Sequence, residues 1–290
     1  MKDYIVYALC ANLSFAIGTM FFTHYARKIS SIWMNTFKAS VAILFFLITV
    51  LITSGFHEIS FNNFLIFFVS GFIALGIGDI FLLKAFSIIG PGRTMLLFGF
   101  QPIVVGLISF MVLAQGIQNN KLIGILFFII CLVIFSYESF KKSGKWEIQG
   151  LVLACIGMLI DGVGIIITRY AFDMNSNLTG FEGNFYRCIG ALVAYWLISF
   201  YRPIHFVSNF KTLKNKSRLF VIIGSFFGTF LSLAFYLEAI KTAHLATISG
   251  IAITSVIFAS LLEAIWERKL PSRYLVMAFI TFLIGMYFIL

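Results

Sequence analysis

The sequence predicts an all-α integral membrane protein, with about ten transmembrane helices arranged as two inverted five-helix repeats around a central cavity. Three observations carry this. Hydrophobic residues make up 61% of 290 positions and charged residues only 11%, a balance too apolar for a water-soluble chain of this length. Apolar runs long enough to cross a hydrocarbon core of roughly 30 Å recur along the whole chain. Segments of the second half also repeat segments of the first: Asn35-Thr36-Phe37-Lys38 returns as Asn184-Phe185-Tyr186-Arg187, 149 positions later at both ends (35 to 184, 38 to 187).

The runs can be taken in order. The first, 4–25, is preceded by a single cation, Lys2, and lacks a small-residue cleavage site, so it reads as a retained helix and not a signal peptide. The second, 32–53, contains Asn35 and Lys38. The third, 62–86, carries a stripe of small residues, Ser70, Ala74 and Gly78, followed by Asp79 and Lys84. Pro102 lies inside the fourth, 93–114, where it bends the helix or frees a carbonyl. The fifth, 121–140, leads into basic residues beginning at Lys141. The sixth, 148–170, holds Asp161 near its middle between Gly157 and Gly164, and the seventh, 182–201, holds Asn184 and Arg187. The eighth, 219–240, carries Gly224, Gly228 and Ser232, each 154 positions after the first stripe, then Tyr236 and Glu238. Such stripes let backbones approach closely in lipid, so their expected role is helix packing. The runs 244–266 and 272–290 complete the set. Residues 1–140 therefore form the first repeat, 141–147 a basic linker and 148–290 the second repeat. Five helices is an odd number, so successive copies enter the membrane from opposite sides, the plan of secondary transporters with a site near midplane. Barrel-type alternation is absent, which leaves helices to satisfy the backbone in lipid.

Net charge is +10, but the cations lie between apolar runs, where membrane topology accounts for them without a nucleic-acid partner. Loops after odd-numbered runs hold Arg27, Lys28, Arg93, Lys141, Lys142, Lys145, Arg202, Lys211, Lys214, Lys216, Arg218, Arg268, Lys269 and Arg273. The other face holds Lys2, Lys121, Arg169 and Lys241. The positive-inside rule places the first set in the cytoplasm and both termini outside, in a multi-pass protein of the plasma membrane. Cys10, Cys131, Cys155 and Cys188 sit in apolar runs at unrelated spacings and give neither a metal nor a disulfide pattern. No phosphate-binding loop, HExxH pair or nucleophile elbow is found, so no cofactor, metal or enzyme chemistry is expected.

Gly78-Asp79, a later Ala85, a turn at Gly90, then Arg93 and Gln101-Pro102, with Glu267 closing the ninth run, make up a pattern that resembles the drug/metabolite transporter superfamily, in particular its EamA-type members. Gln115 stands at the first-copy position matching Glu267, and Thr254 stands where the first copy has Pro102. The resemblance implies a transporter and leaves the cargo open. It also implies termini inside the cell, opposite to the cation count.

Ionisable residues inside a span are costly and mark function. Lys38 and Arg187, in register in inverted copies, are candidates to attract an anionic group of a substrate, with Asn35 and Asn184 orienting it from i−3 positions. Asp79 and Tyr236 complete the candidate substrate site, and Tyr186 and Phe100 are further cavity candidates. An ionised carboxylate as deep as Asp161 carries a desolvation cost unless a cation lies close, so its proton is a candidate for coupling. Pro102 and Glu238 are candidate gating residues. Lys84, Glu238 and Glu263 lie near span ends, and Trp33, Trp146, Trp196 and Trp266 read as interfacial anchors.

The expected function is a secondary active transporter, exporting a small polar or amphipathic metabolite such as an amino acid or related organic acid by alternating access. Protons are the candidate coupling ion. The alternatives are an intramembrane enzyme acting on a lipid head group and a channel-like facilitator. Partners are the small-molecule substrate and the lipid bilayer, and ten helices can enclose a cavity in a monomer. Cysteines placed at Lys142 and Lys214 should resist an impermeant external thiol reagent in intact cells, while one at Glu58 labels. The reverse pattern restores the orientation that the resemblance implies.

Overall fold

The computed structural model describes residues 3–101, 148–242, 253–268 and 270–289, together with residue 251 and positions scattered through 123–141. Every element among them is helical. The first repeat contains α1 (Asp3–Lys28), α2 (Ser31–Ile52), α3 (Phe61–Gly71), π1 (Phe72–Gly78), α4 (Asp79–Ile89) and α5 (Pro91–Phe98). The second contains α6 (Ile148–Met174), α7 (Gly180–Tyr201), α8 (Phe206–Thr212), α9 (Asn215–Ser225), π2 (Phe226–Leu231), α10 (Ser232–Thr242), α11 (Ile253–Glu267) and α12 (Arg273–Ile289). Among the described residues five helices are long and apolar enough to cross a membrane: Tyr4–Lys28, Ser31–Ile52, the continuous Phe61–Ile89, Ile148–Met174 and Asn215–Lys241. Pro102, Gln115, Lys121, Lys142 and Trp146 lie outside the described residues.

Local chemistry sets the helix starts. Ser30 accepts the Trp33 backbone N–H at 3.0 Å and Ser60 that of Asn63 at 3.2 Å, each capping an otherwise orphaned donor. Thr179 and Glu182 form a reciprocal capping box at the start of α7. Gly90, at φ 85°, makes the turn between α4 and α5, and Pro91 opens α5.

Two features depart from the runs read in the sequence. The third and eighth spans are not uninterrupted α-helices, because each contains a π segment. The two segments begin 154 positions apart, at Phe72 and Phe226, so the irregularity itself is duplicated. The chain after α7 also folds into the short helix α8.

The small-residue stripes pack across the repeats. A Cβ added to Gly18 of α1 would overlap the Gly228 backbone and lie 3.2 Å from the Gly224 carbonyl oxygen. A Cβ added to Gly164 of α6 would overlap Ala74 and lie 3.4 Å from the Ser70 carbonyl oxygen. Ser70 matches Gly224 and Ala74 matches Gly228, so each repeat's first helix crosses the other repeat's third helix at the same place. At that crossing Ser70 Oγ also donates to the Gly164 carbonyl at 2.9 Å and lies 2.5 Å from Thr168 Oγ1. Between α3 and α7 the approach is equally close: a Cβ on Gly71 would overlap the Arg187 backbone, and one on Gly190 the Phe68 carbonyl. In lipid, where apolar burial offers no net drive, such close packing is what holds helices together.

Loops are clamped across repeats as well. The Glu182 carboxylate accepts the His57 backbone N–H at 2.7 Å and contacts His57 Nδ1 at 2.9 Å. At the matching place on the opposite face, Trp33 Nε1–H donates to the Phe206 carbonyl at 3.1 Å. Trp33 is thus no interfacial anchor. It is fully buried and stacks on Phe37, because α8 folds over it. Trp196 and Trp266 remain exposed, as anchors do.

Gly18→Ala should lower the melting temperature of the detergent-solubilised protein, since overpacking against a backbone costs about 1–3 kcal/mol. Gly78→Ala should cost less, because the nearest atom its Cβ would meet is a side-chain methyl of Ile160, at 3.2 Å, and no backbone atom lies in overlap. Equal melting temperatures for the two variants would contradict the crossing described above.

Candidate functional site

α2 and α7 enter from opposite faces and carry their cations to equal depth. Lys38 stands seven residues past Ser31 and Arg187 seven past Gly180, about 10 Å along each axis. Both are almost fully buried. Three residues before each cation, an asparagine reaches the third helix of its own repeat. Asn35 Nδ2 donates to the Asp79 carbonyl and Asn184 Nδ2 to the Leu233 carbonyl, both at 2.8 Å. Asp79 and Leu233 are 154 positions apart, just beyond π1 and π2, where the helical ladder is disturbed and a carbonyl is available to a side chain. In this conformation each asparagine amide therefore gives an N–H to a backbone carbonyl of its own repeat, while Asn35 Oδ1 is buried with no partner among the described residues.

The same pair of positions breaks the symmetry. Lys38 Nζ lies 2.6 Å from Asp79 Oδ2, in an ion pair whose side chains are 4% and 13% exposed. It also sits over the Phe22 ring, 5.0 Å from its centroid. In the second repeat Leu233 occupies the place of Asp79, so Arg187 has no carboxylate there. Among the described residues it makes a long hydrogen bond, 3.5 Å from Nη1 to Asn184 Oδ1, and its Nε has no partner. The two cations thus differ in this conformation: the Lys38 charge is paired with Asp79, and Arg187 has no carboxylate at the matching position.

Asp161, midway along α6, accepts a hydrogen bond from Gln101 Nε2 at 2.8 Å. No cation among the described residues stands within salt-bridge distance of it. Between these groups lies a cavity of about 150 Å³, lined by Lys38, Asp79, Asp161 and Tyr236 with apolar walls from Phe15 and Phe98. Polar groups of α1, π2 and α11 also face it. Asn12 is held by the Ile251 carbonyl and Thr254 Oγ1, and Thr229 Oγ1 is buried without a partner. The first-copy counterpart of Thr229 is Leu75, whose carbonyl accepts from the Tyr195 hydroxyl. Phe46 stands where a second such tyrosine would be, and packs on Phe230 at 4.9 Å.

Other candidates lie elsewhere. Glu238 Oε1 accepts the Gly180 N–H at 2.9 Å, capping α7 at the face opposite the basic loops. Tyr186 packs on Phe64 and Phe100 on Phe282, so neither lines the cavity. Pro102 is outside the described residues. Sequence reasoning missed Thr229, Asn12 and Gln101 as cavity residues, although amides inside apolar runs were a usable signal. It also passed over two buried glutamates, Glu138, paired with Arg93 at 2.6 Å, and Glu182. The spacing Thr179-x-x-Glu182 was a capping-box signature.

Two interleaved inverted repeats meet at a charged cavity, the plan of a membrane transporter. The family model for the EamA-like transporter family matches residues 3–137 and again 148–290, so the chain belongs to that family. One solved protein crystal structure is similar in fold, with a TM-score of 0.68 over 99% of this chain and 96% of its own, at 12% sequence identity. No curated protein sequence matches.

Asp79→Leu copies the second repeat's residue into the first and strands the Lys38 charge. It should destabilise the protein by about 3–5 kcal/mol, and Lys38→Met combined with Asp79→Leu should recover most of that loss. Thermal melting of the two single variants and the double variant measures the coupling.

Proposed function

We propose that the protein is a secondary active transporter that exports a small polar or amphipathic metabolite of the amino-acid or organic-acid type across the plasma membrane by alternating access. The observation that carries this reading is the cavity at the repeat interface, where a solute finds fixed charge, a free hydroxyl and apolar walls together. A volume of about 150 Å³ is about five times a water's share of the liquid, which suits a small metabolite. Thr229 Oγ1 supplies an unspent hydrogen-bond partner at the cavity wall, and Phe15 and Phe98 favour an apolar part of the solute. Lys38 and Asp79 present both signs of charge, which favours a zwitterion or an organic acid over a simple cation. Arg187, behind this wall, is the reserve of unpaired positive charge that an anionic group would draw on as the repeats move.

Asp161 is the proposed proton carrier. Its carboxyl group is held by the neutral amide of Gln101, so protonation and release change the local charge without first breaking a salt bridge. The orientation follows the loop cations, with the basic face cytoplasmic and both termini outside, and one chain is the proposed working unit.

Proteoliposomes loaded with a panel of amino acids and organic acids should show saturable uptake and counterflow. Flux that neither saturates nor supports counterflow would favour a channel. Thr229→Val removes an unpartnered hydroxyl at constant shape, so the fold should be unharmed while substrate affinity falls roughly two- to tenfold, the value of one neutral hydrogen bond. Arg187→Met should weaken an anionic substrate by roughly ten- to a hundredfold. Asp161→Asn should abolish accumulation driven by a pH gradient and leave exchange measurable.

A further inference from the structure

We propose that a second pocket, at the basic face between α1, α5 and α11, is a mouth of the transport path, and that Glu263 is the latch holding it shut in this conformation. This rests on the transporter reading and adds the route and its gate. The pocket has a volume of about 350 Å³ and is walled by Thr23, His24 and Arg27 of α1, Pro91 of α5, and Glu263 and Trp266 of α11. The central cavity is walled by other stretches of the same three helices: Asn12 and Phe15 of α1, Met95 and Phe98 of α5, and Ser255 of α11.

The two spaces are therefore stacked along one seam. From Pro91 to Met95 is four residues of α5, or about 6 Å, and from Ser255 to Glu263 is eight residues of α11, or about 12 Å. Apolar side chains occupy much of this interval. Phe22, Leu83, Phe86, Met95 and Ala259 belong to one buried cluster, with Phe258 and Leu262 packed on it.

Polar contacts at the rim hold the seam closed, and they join the two repeats. Glu263 Oε2 accepts the Gly92 N–H at 2.7 Å, at a helix start that has no side-chain cap of its own. The carboxylate lies so close that a Cβ on Gly90 would overlap Oε1, and one on Gly92 would come within 2.6 Å of Oε2. The two glycines thus make room for a side chain from the other repeat. Arg27 adds a second tie, with Nη1 3.5 Å from Glu267 Oε1 and Nε donating to the Ser87 carbonyl at 3.0 Å. These ties differ in kind from the glycine crossings of α1 with π2 and of α6 with π1. Those crossings are backbone against backbone and cannot part without losing the packing, whereas a carboxylate on a helix start can leave and be hydrated at the rim.

The test uses the full chain in proteoliposomes, with the four native cysteines replaced and Ser255→Cys added as a reporter on the wall of the central cavity. An impermeant maleimide is supplied from either face. Glu263→Gln removes the charge at constant volume, and labelling from the basic face should rise roughly ten- to a hundredfold, the effect of losing one charge-assisted hydrogen bond on a closed-to-open equilibrium. Arg27→Gln, at the exposed rim, should raise it severalfold, and this variant decides the matter if Glu263→Gln does not fold. Unchanged labelling in the folded variants, or an equal rise from both faces, overturns the gate. Counterflow is measured in parallel so that the two readings fail separately. Labelling that responds without counterflow of any solute rejects the transporter reading and leaves the latch standing, while counterflow without a labelling response rejects the latch alone.

Discussion

A charge in the interior of a bilayer is costly unless the protein offsets it, and the contact between Lys38 and Asp79 offsets one at the centre of this chain. The pair ties α2 to α4 just past π1, so it fixes the end of the disturbed helical turn as well as the charge. With Lys38 neutralised in this way, the cavity wall presents a dipole. The asparagine three residues earlier reinforces the junction by holding the backbone of the same aspartate. Removing one member would leave a stranded ion, which is costlier than never having had the pair.

The second repeat keeps the geometry of this junction and changes its charge. Asn184 holds Leu233 as Asn35 holds Asp79, yet leucine offers Arg187 nothing. The duplicated frame thus supports an asymmetric interior, with one satisfied ion pair, one guanidinium with spare donors and one carboxyl group, Asp161, resting on an amide. Two inverted copies give a site equivalent surroundings from both faces. Divergence between the copies is what makes the interior asymmetric.

Backbone contact at the crossings and side-chain contact at the rim divide the molecule into parts that stay together and parts that can separate. Gly18 on Gly228 and Gly164 on Ala74 lock each repeat's first helix to the other's third. Glu263 on Gly92 and Arg27 on Glu267 tie the same repeats by groups that water can replace. A transporter that alternates between faces needs both kinds of contact, a fixed frame and a seam of modest strength.

Much of the frame was legible in the residues. Hydropathy located the helices, the odd helix count of each repeat required inversion, and the stripes Ser70-Ala74-Gly78 and Gly224-Gly228-Ser232 marked the close crossings, because these features depend on composition and spacing along one chain. The depth of Lys38, Arg187 and Asp161 was equally plain. What the sequence left open was every choice among partners distant in the chain. It placed Lys38 and Asp79 in one repeat without showing that they neutralise each other, and it gave Trp33 to the membrane interface when α8 buries it. It could not show that the Thr229 hydroxyl is buried with no partner among the described residues. A polar side chain in lipid is costly without a partner, so the sequence reveals where a partner is needed. Only the packing of helices far apart in the chain decides which group it is, and which groups are left without one for a solute to meet.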